Sequence, residues 1–276
     1  MKVSLVLILL SISLNLSAQS YLIMENGIIV TTDKDGFAYD PGQFTYPDQV
    51  TLKGGQYYVE NANVIVTIDE TGVLFRKYEV IPDAILGKGI NYFLSTKGDL
   101  YTINKQGNVD IVNNLIFTRA KNFGGSYFTV VDEVESSMEI YTISEDGKAQ
   151  KIETELRPRD IVAYGGNYFM TTRGVVYTVS SDGLLASHPE MRIGIIIKKG
   201  GNYFTDSSGI LYTVTQEGVL KMSGLPMTLR VSAISKLGSN YFIDLGGRFY
   251  TVDRFGNVFE RVLRDQDLRN VKIISL

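Results

Sequence analysis

Short runs of apolar and aromatic residues, each closed off by glycine or by a polar residue followed by glycine, recur from Tyr21 to the end of the chain. One of them reads GGNYFMTTRGVVYTVSSDG from Gly165 to Gly183. Runs of this length between turn signals predict β-strands. In the region of Tyr203 the predicted strands are Ile195 to Lys199, Asn202 to Thr205, Ile210 to Thr215 and Val219 to Met222, named a, b, c and d. Strand c reads GILYTVT here and VVYTVS elsewhere, without the alternation of a sheet that has one wet face. Both faces are therefore expected to be covered, with neighbours such as Tyr168 and Phe169 pointing to opposite sides.

The pattern repeats in register. A tyrosine opens each unit, at Tyr21, Tyr57, Tyr92, Tyr127, Tyr168, Tyr203 and Tyr241, with successive spacings of 36, 35, 35, 41, 35 and 38 residues. A threonine follows in every unit, at Thr31, Thr67, Thr102, Thr142, Thr178, Thr213 and Thr251, and a glycine stands five residues beyond each. Such a period marks a solenoid, a propeller or an array. A further slot, six residues after the tyrosine, holds Gly27, Gly98, Gly174, Gly209 and Gly247, with Asn63 as a substitute. Asparagine is the residue best able to replace glycine at positive φ, so this slot is a b-to-c turn. The Tyr127 unit carries five extra residues around Asp132 to Ser137, expected as added turn length. Gly200 and Gly201 are expected to supply positive φ in the a-to-b turn.

Sheets stacked face to face around an axis cover both faces of every strand, whereas a two-sheet sandwich leaves outer faces wet. The expected fold is an all-β, seven-bladed β-propeller of four-stranded antiparallel blades; a β-solenoid or a pair of sandwiches are the alternatives. The chain begins its first unit at strand b and ends on an unpartnered strand a, Val271 to Ile274. Pairing that last strand beside Tyr21 to Met24 would close the ring and remove its open edges. The tyrosines are expected to fill the space between blades with their hydroxyls bonded, and the threonines to bond neighbouring backbone; a repeated ligand pocket is the other reading.

Residues 1–18 fall outside the repeat. Lys2, the apolar run Val3 to Leu14 and a small-residue end at Ala18 predict a secretory signal peptide. The run is shorter than the roughly 18 residues of a membrane span and is broken by serines. Export to the periplasm or the extracellular space is expected, with no transmembrane segment in the mature chain and residues 19–276 as a single domain. Loss of the leader removes only Lys2, leaving 26 basic against 30 acidic residues. That balance argues against nucleic acid and anionic membranes as partners. The chain has no cysteine, so neither disulfides nor thiolate metal sites contribute.

Chemistry-bearing motifs are sparse. His188, the only histidine, is expected on an irregular connection from Ala186 to Arg192, and no GxSxG elbow or HExxH pattern accompanies it. Asp33-Lys34-Asp35-Gly36 resembles a calcium loop only in part, and an Asp-Gly turn explains it as well. No catalytic residue, metal or cofactor is expected. The d-to-a connections vary most between units, and in a propeller they share a face with the b-to-c turns. The candidate binding face comprises Tyr39, Phe44, Tyr46, Asp48, Arg76, Tyr78, Asp83, Arg159, Asp160, Arg192, Arg230 and Arg269, a mixture of charge and aromatic surface suited to protein or glycan contact.

The units GGNYFMTTRGVVYTV and GGNYFTDSSGILYTV resemble β-propeller repeats of the tachylectin-like and NHL-like kinds. The first resemblance implies sugar binding between blades; the second implies protein contacts or, in some relatives, hydrolysis. Tryptophan, the WD signature and the kelch signature are all missing, and no site residue carries over. The leading expectation is a non-catalytic, exported propeller that contacts a protein partner through variable loops. A lectin-like glycan binder and a hydrolase-type propeller are the alternatives.

Overall fold

The computed structural model describes residues 20–262 except 62, 79, 80, 83, 133–136, 192 and 228. The chain is a seven-bladed β-propeller. The first blade along the chain is described by three strands, Tyr21–Ile23, Ile29–Thr32 and Ala38–Tyr39, and six antiparallel four-stranded sheets follow it as the second to seventh blades. The segment expected to complete the first blade, residues 271–274, lies outside the described residues. In the sixth blade the strands are Ile196–Lys199, Tyr203–Asp206, Leu211–Val214 and Leu220–Met222, within a residue or two of the positions that the apolar pattern predicts.

Strands b and c are buried along nearly their whole length, while a and d are half-exposed. The buried apolar residues divide into seven clusters, one in each space between neighbouring blades, including the space between the seventh blade and the first. The hydrophobic core is thus a ring of seven packed interfaces.

Three hydrogen-bonded rings, two complete and one open at a single step, close the molecule. Each unit tyrosine donates its hydroxyl to the backbone carbonyl of the tyrosine in the next blade, at 2.5 to 3.1 Å, and Tyr241 closes the circuit on Tyr21. Burial pushes all seven phenols upward from their ordinary pKa, so the donors stay protonated. Six of the seven threonines donate to the glycine carbonyl of the next blade, at 2.5 to 2.9 Å, with Thr251 reaching back to Gly36. Thr102 is the exception, its buried hydroxyl having no partner. The third ring is pure backbone: the N–H groups of residues 34, 70, 105, 145, 181, 216 and 254 each donate to the carbonyl of the next member, and Arg254 returns to Lys34.

This last ring orients the blades. Residues joined by a backbone hydrogen bond stand about 5 Å apart, so seven steps make a circle of about 5–6 Å radius. The c-to-d turns that carry it therefore sit at the axis. The a-to-b turns also bond one another across blades, as in Gly125 N to Gly166 O at 2.6 Å and Asn167 N to Gly201 O at 2.8 Å. Both kinds of turn form the hub, and the strands run outward from it. The b-to-c turns and the d-to-a connections meet at the rim, where Thr45 N bonds Gly27 O and Asn114 N bonds Gly98 O.

Crowding at the hub changes the account of its glycines. The b-to-c slot has positive φ throughout, 84° at Gly27 and 60° at Asn63, which is why asparagine serves there. Gly200 and Gly201 do not adopt positive φ. They are required by close approach: a Cβ on Gly200 would fall 2.2 Å from the Tyr203 ring, and one on Gly166 would fall 2.1 Å from Gly201 O. The extra residues of the fourth blade also differ from expectation. They lengthen the hairpin itself, with Tyr127–Asp132 and Ser137–Ile143 paired as far as Asp132 opposite Ser137.

Two substitutions separate these effects. Tyr127→Phe should lower stability by about 1 kcal/mol, because Tyr168 O keeps its bond from Gly165 N. Gly166→Ala should cost about 1–3 kcal/mol or more, since backbone at the hub has nowhere to retreat. Urea denaturation of both variants checks the order; equal losses would remove the special status of the hub.

Candidate functional site

On the axis the hub turns line a partly open cavity of about 170 Å3, to which all seven blades contribute. Its composition follows from two positions of the repeat. The residue before each tyrosine supplies an uncharged tier of Ser20, Gln56, Asn91, Ser126, Asn167, Asn202 and Asn240, and the backbone-ring positions supply Lys34, Glu70, Lys105, Glu145, Ser181, Gln216 and Arg254. The uncharged tier is the more buried of the two. Part of it is spent on structure: Ser126 Oγ donates to Asn167 Oδ1 at 2.6 Å, and Asn240 Nδ2 donates to Asp33 O at 2.8 Å. The charged tier is ion-paired, Lys34 Nζ with Glu70 at 2.6 Å, Lys105 with Asp146 at 3.1 Å and the Arg254 guanidinium with Asp35 at 3.0 Å, although the Arg254 Nε–H itself makes no hydrogen bond. Sequence reasoning missed this cavity. The available signal was a slot that is polar in every unit, directly before the buried tyrosine.

The residues expected to form one binding face are dispersed. Phe44, Tyr46, Arg76 and Tyr78 come together at the rim where the first and second blades meet. Arg76 donates to Gln43 Oε1 at 2.7 Å and to Phe44 O at 3.3 Å, and pairs with Glu60 at 3.2 Å. Tyr46 packs beside Gly27. Three aromatic side chains stay open, with Phe44 62%, Tyr46 54% and Tyr78 87% exposed. Asp48 is exposed on the short 3-10 turn that follows. Tyr39 points elsewhere, donating to Asp33 Oδ2 at 2.9 Å and packing on the second blade near Gly72. Arg159 and Asp160 belong to the entry of the fifth blade, where Asp160 Oδ2 accepts from Arg157 N, and Arg230 precedes the seventh. Asp83, Arg192 and Arg269 lie outside the described residues.

His188 is a strand residue, the last of Leu185–His188, and not part of an irregular connection. The threonine of the fifth blade explains its position: Thr178 donates to Gly218 O, so His188 Nε2, 2.8 Å from Thr178 Oγ1, acts as donor to that oxygen. Asp33, the first acid of the partial calcium motif, spends Oδ1 on the N–H groups of Asp35 and Phe37 and Oδ2 on Tyr39. Among the described residues, no group of three or more His, Cys, Asp or Glu side chains is placed to hold a metal ion, and no helix is long and apolar enough to cross a membrane.

One further feature lies on the strand-a side of the ring. Burial lowers the pKa of Lys53, Lys198, Lys199 and Lys236, and it pushes Lys88 down to about 8, with the charge of Lys53 adding to the effect. Lys198 Nζ donates to Ile234 O of the next blade.

No family model and no curated protein matches the chain. Among solved structures it is similar to a streptogramin B lyase at 13% identity, covering 91% of this chain and 87% of that one with a TM-score of 0.37. It is similar also to YCF48 bound to D1 peptide at 12% identity, covering 91% and 95% with a TM-score of 0.33. BamB from Moraxella catarrhalis follows at 12% identity, covering 90% and 95% with a TM-score of 0.25. Similarity at this level carries no argument about function.

Lys88 offers a pH test. In the folded chain it loses its proton near pH 8, against 10.5 for an unburied lysine, so the unfolded chain binds more protons between those values and stability rises with pH across the window. Below it the cost of burying the charge is fully present. Lys88→Met should therefore be the more stable protein at pH 7, by roughly 1–3 kcal/mol, with the gain shrinking from about pH 8 upward. Urea denaturation of both proteins at pH 7 and pH 10 measures the difference; a gain that does not change with pH contradicts it.

Proposed function

We propose that this chain is a non-catalytic, exported binding propeller that engages a protein partner at the rim between its first and second blades. The observation that carries the reading is the group of exposed aromatics, Phe44, Tyr46 and Tyr78, set around an arginine that Gln43 and Glu60 hold in place. Aromatic and arginine side chains are the usual anchors of protein interfaces. Connections on the other blades also expose apolar residues, Leu115, Ile195 and Met227 among them, but these are aliphatic; the exposed aromatics of the described d-to-a connections are Phe44, Tyr46 and Tyr78, gathered at this rim. Arg76 is preorganised, so little rotamer freedom remains to be lost on binding. The hydrogen bonds of His188 support a structural role for the only imidazole, and the apolar leader supports action outside the cytoplasm.

The test is capture of partners from the parent envelope by the immobilised full chain. Phe44→Ser combined with Tyr78→Ser should weaken the captured interaction by tenfold or more, about 1.4 kcal/mol. Both side chains are exposed, so stability should stay within about 0.5 kcal/mol. Arg230→Ala, on the seventh blade, should leave capture intact. Loss with Arg230→Ala but not with the rim pair would place the interface elsewhere.

A further inference from the structure

The axial cavity stands apart from the rim and has chemistry of its own. One water needs about 10–15 Å3 of such space, so about 170 Å3 holds on the order of ten waters or one small molecule. Within the uncharged tier, Asn91 is only 4% exposed, donates Nδ2 to Ser144 O at 2.9 Å, and has no protein partner for Oδ1. Asn202 Oδ1 lacks one as well. Arg254 Nε, in the same wall, is a buried donor without an acceptor. Buried polar atoms are almost always paired in folded proteins, so these orphans in the wall of one cavity call for partners from outside the chain that both donate and accept.

The rest of the wall narrows the chemistry. Ile90, Ile143, Val214 and Val252 place aliphatic surface between the amides. At the charged tier the lysines and the arginine are each matched by a nearby carboxylate, so the field selects neither cation nor anion strongly. We propose that the axial cavity binds one neutral, polyhydroxylated molecule of monosaccharide size, with hydroxyl groups donating to Asn91 and Asn202 and a C–H face resting on the aliphatic wall. A free sugar or polyol and the terminal residue of a glycan present this same chemistry. The site is single and axial, unlike the several inter-blade sites that a tachylectin-like arrangement implies, and it does not depend on the rim interface.

Calorimetry and saturation-transfer NMR on the full chain test it, with glucose, N-acetylglucosamine and myo-inositol as probes and with lysine and glutamate as charged controls. At least one neutral probe should bind saturably, one molecule per chain. An oligosaccharide ending in that probe distinguishes the two sources: equal or tighter binding points to a glycan terminus, and exclusion points to the free molecule. Ser181→Tyr puts a ring into the cavity while keeping the backbone bonds that Ser181 makes in the hub, and Asn202→Leu removes an orphan acceptor. Each should weaken binding tenfold or more, and the thermal midpoint of Ser181→Tyr should stay unchanged; if Asn202→Leu fails to fold, Ser181→Tyr decides alone. The proposal is overturned if none of the neutral probes binds saturably, which leaves a cavity filled with water only. Binding of a charged control alone, binding indifferent to Ser181→Tyr, or a stoichiometry near seven overturns it equally.

Discussion

A phenol hydroxyl that spans the gap between two sheets and ends on the next tyrosine's carbonyl is the interaction on which the rest of this structure depends. It occurs seven times and closes on itself. The length of a tyrosine side chain sets the distance between neighbouring blades, and its aromatic body supplies apolar filling. In six of the seven gaps the ring also meets an aromatic of the following blade, from Tyr21 against Tyr58 to Tyr203 against Phe242, at 4.6 to 5.5 Å between centroids. In the seventh, Tyr241 meets Leu22 and its neighbours instead. Each hydroxyl would cost stability if buried without its acceptor, so the same residue that fills the gap also specifies the register of one blade on the next.

Several other features follow from that spacing. Sheets held this close at the hub leave little room for side chains on the a-to-b turns, and glycine or serine stands where backbones touch in the described units except the third, where Ile90 takes the position and lines the cavity. The c-to-d turns meet one step along the axis and are tied into a ring by peptide groups, with ion pairs such as Lys34–Glu70 added between some of them, so their side chains can be charged, polar or small without loss of the ring. The axial cavity is the space that these two layers cannot fill. At the rim the constraint is absent. The d-to-a connections there differ in length and chemistry because each sends only a few residues into the core, such as Phe117, Ile193 and Leu229, and leaves the rest to solvent; the exposed aromatics beside Arg76 occur on one such connection and the strand end beside it.

How far the chain could be read in advance depended on the range of each interaction. Strands, turn slots and blade number were legible because each is written by residues close together in one unit and then repeated. Asn63 in a glycine slot is the clearest example, since the substitution itself reveals the left-handed backbone. The glycines before each tyrosine were recognised as turn residues but for the wrong reason, because the atoms that exclude a side chain belong partly to the next blade. His188 was misplaced for a similar cause: its partner, Thr178, is ten residues away on a paired strand, and only the sheet brings them together.

By itself, then, the amino-acid sequence determined the seven-unit count, the strand content of a unit, the positive-φ turns and the expectation that tyrosine and threonine hydroxyls would be bonded. These are local properties, multiplied by repetition. Tertiary structure alone decided which carbonyl each hydroxyl reaches, that two sets of turns converge on one axis, and that polar residues from seven separate units line a common cavity. It also separated Tyr39 and Asp160 from the aromatic patch with which they share a composition. Convergence of this kind depends on the angle between successive blades, which is the sum of packing in seven interfaces and is not encoded in any single stretch of chain.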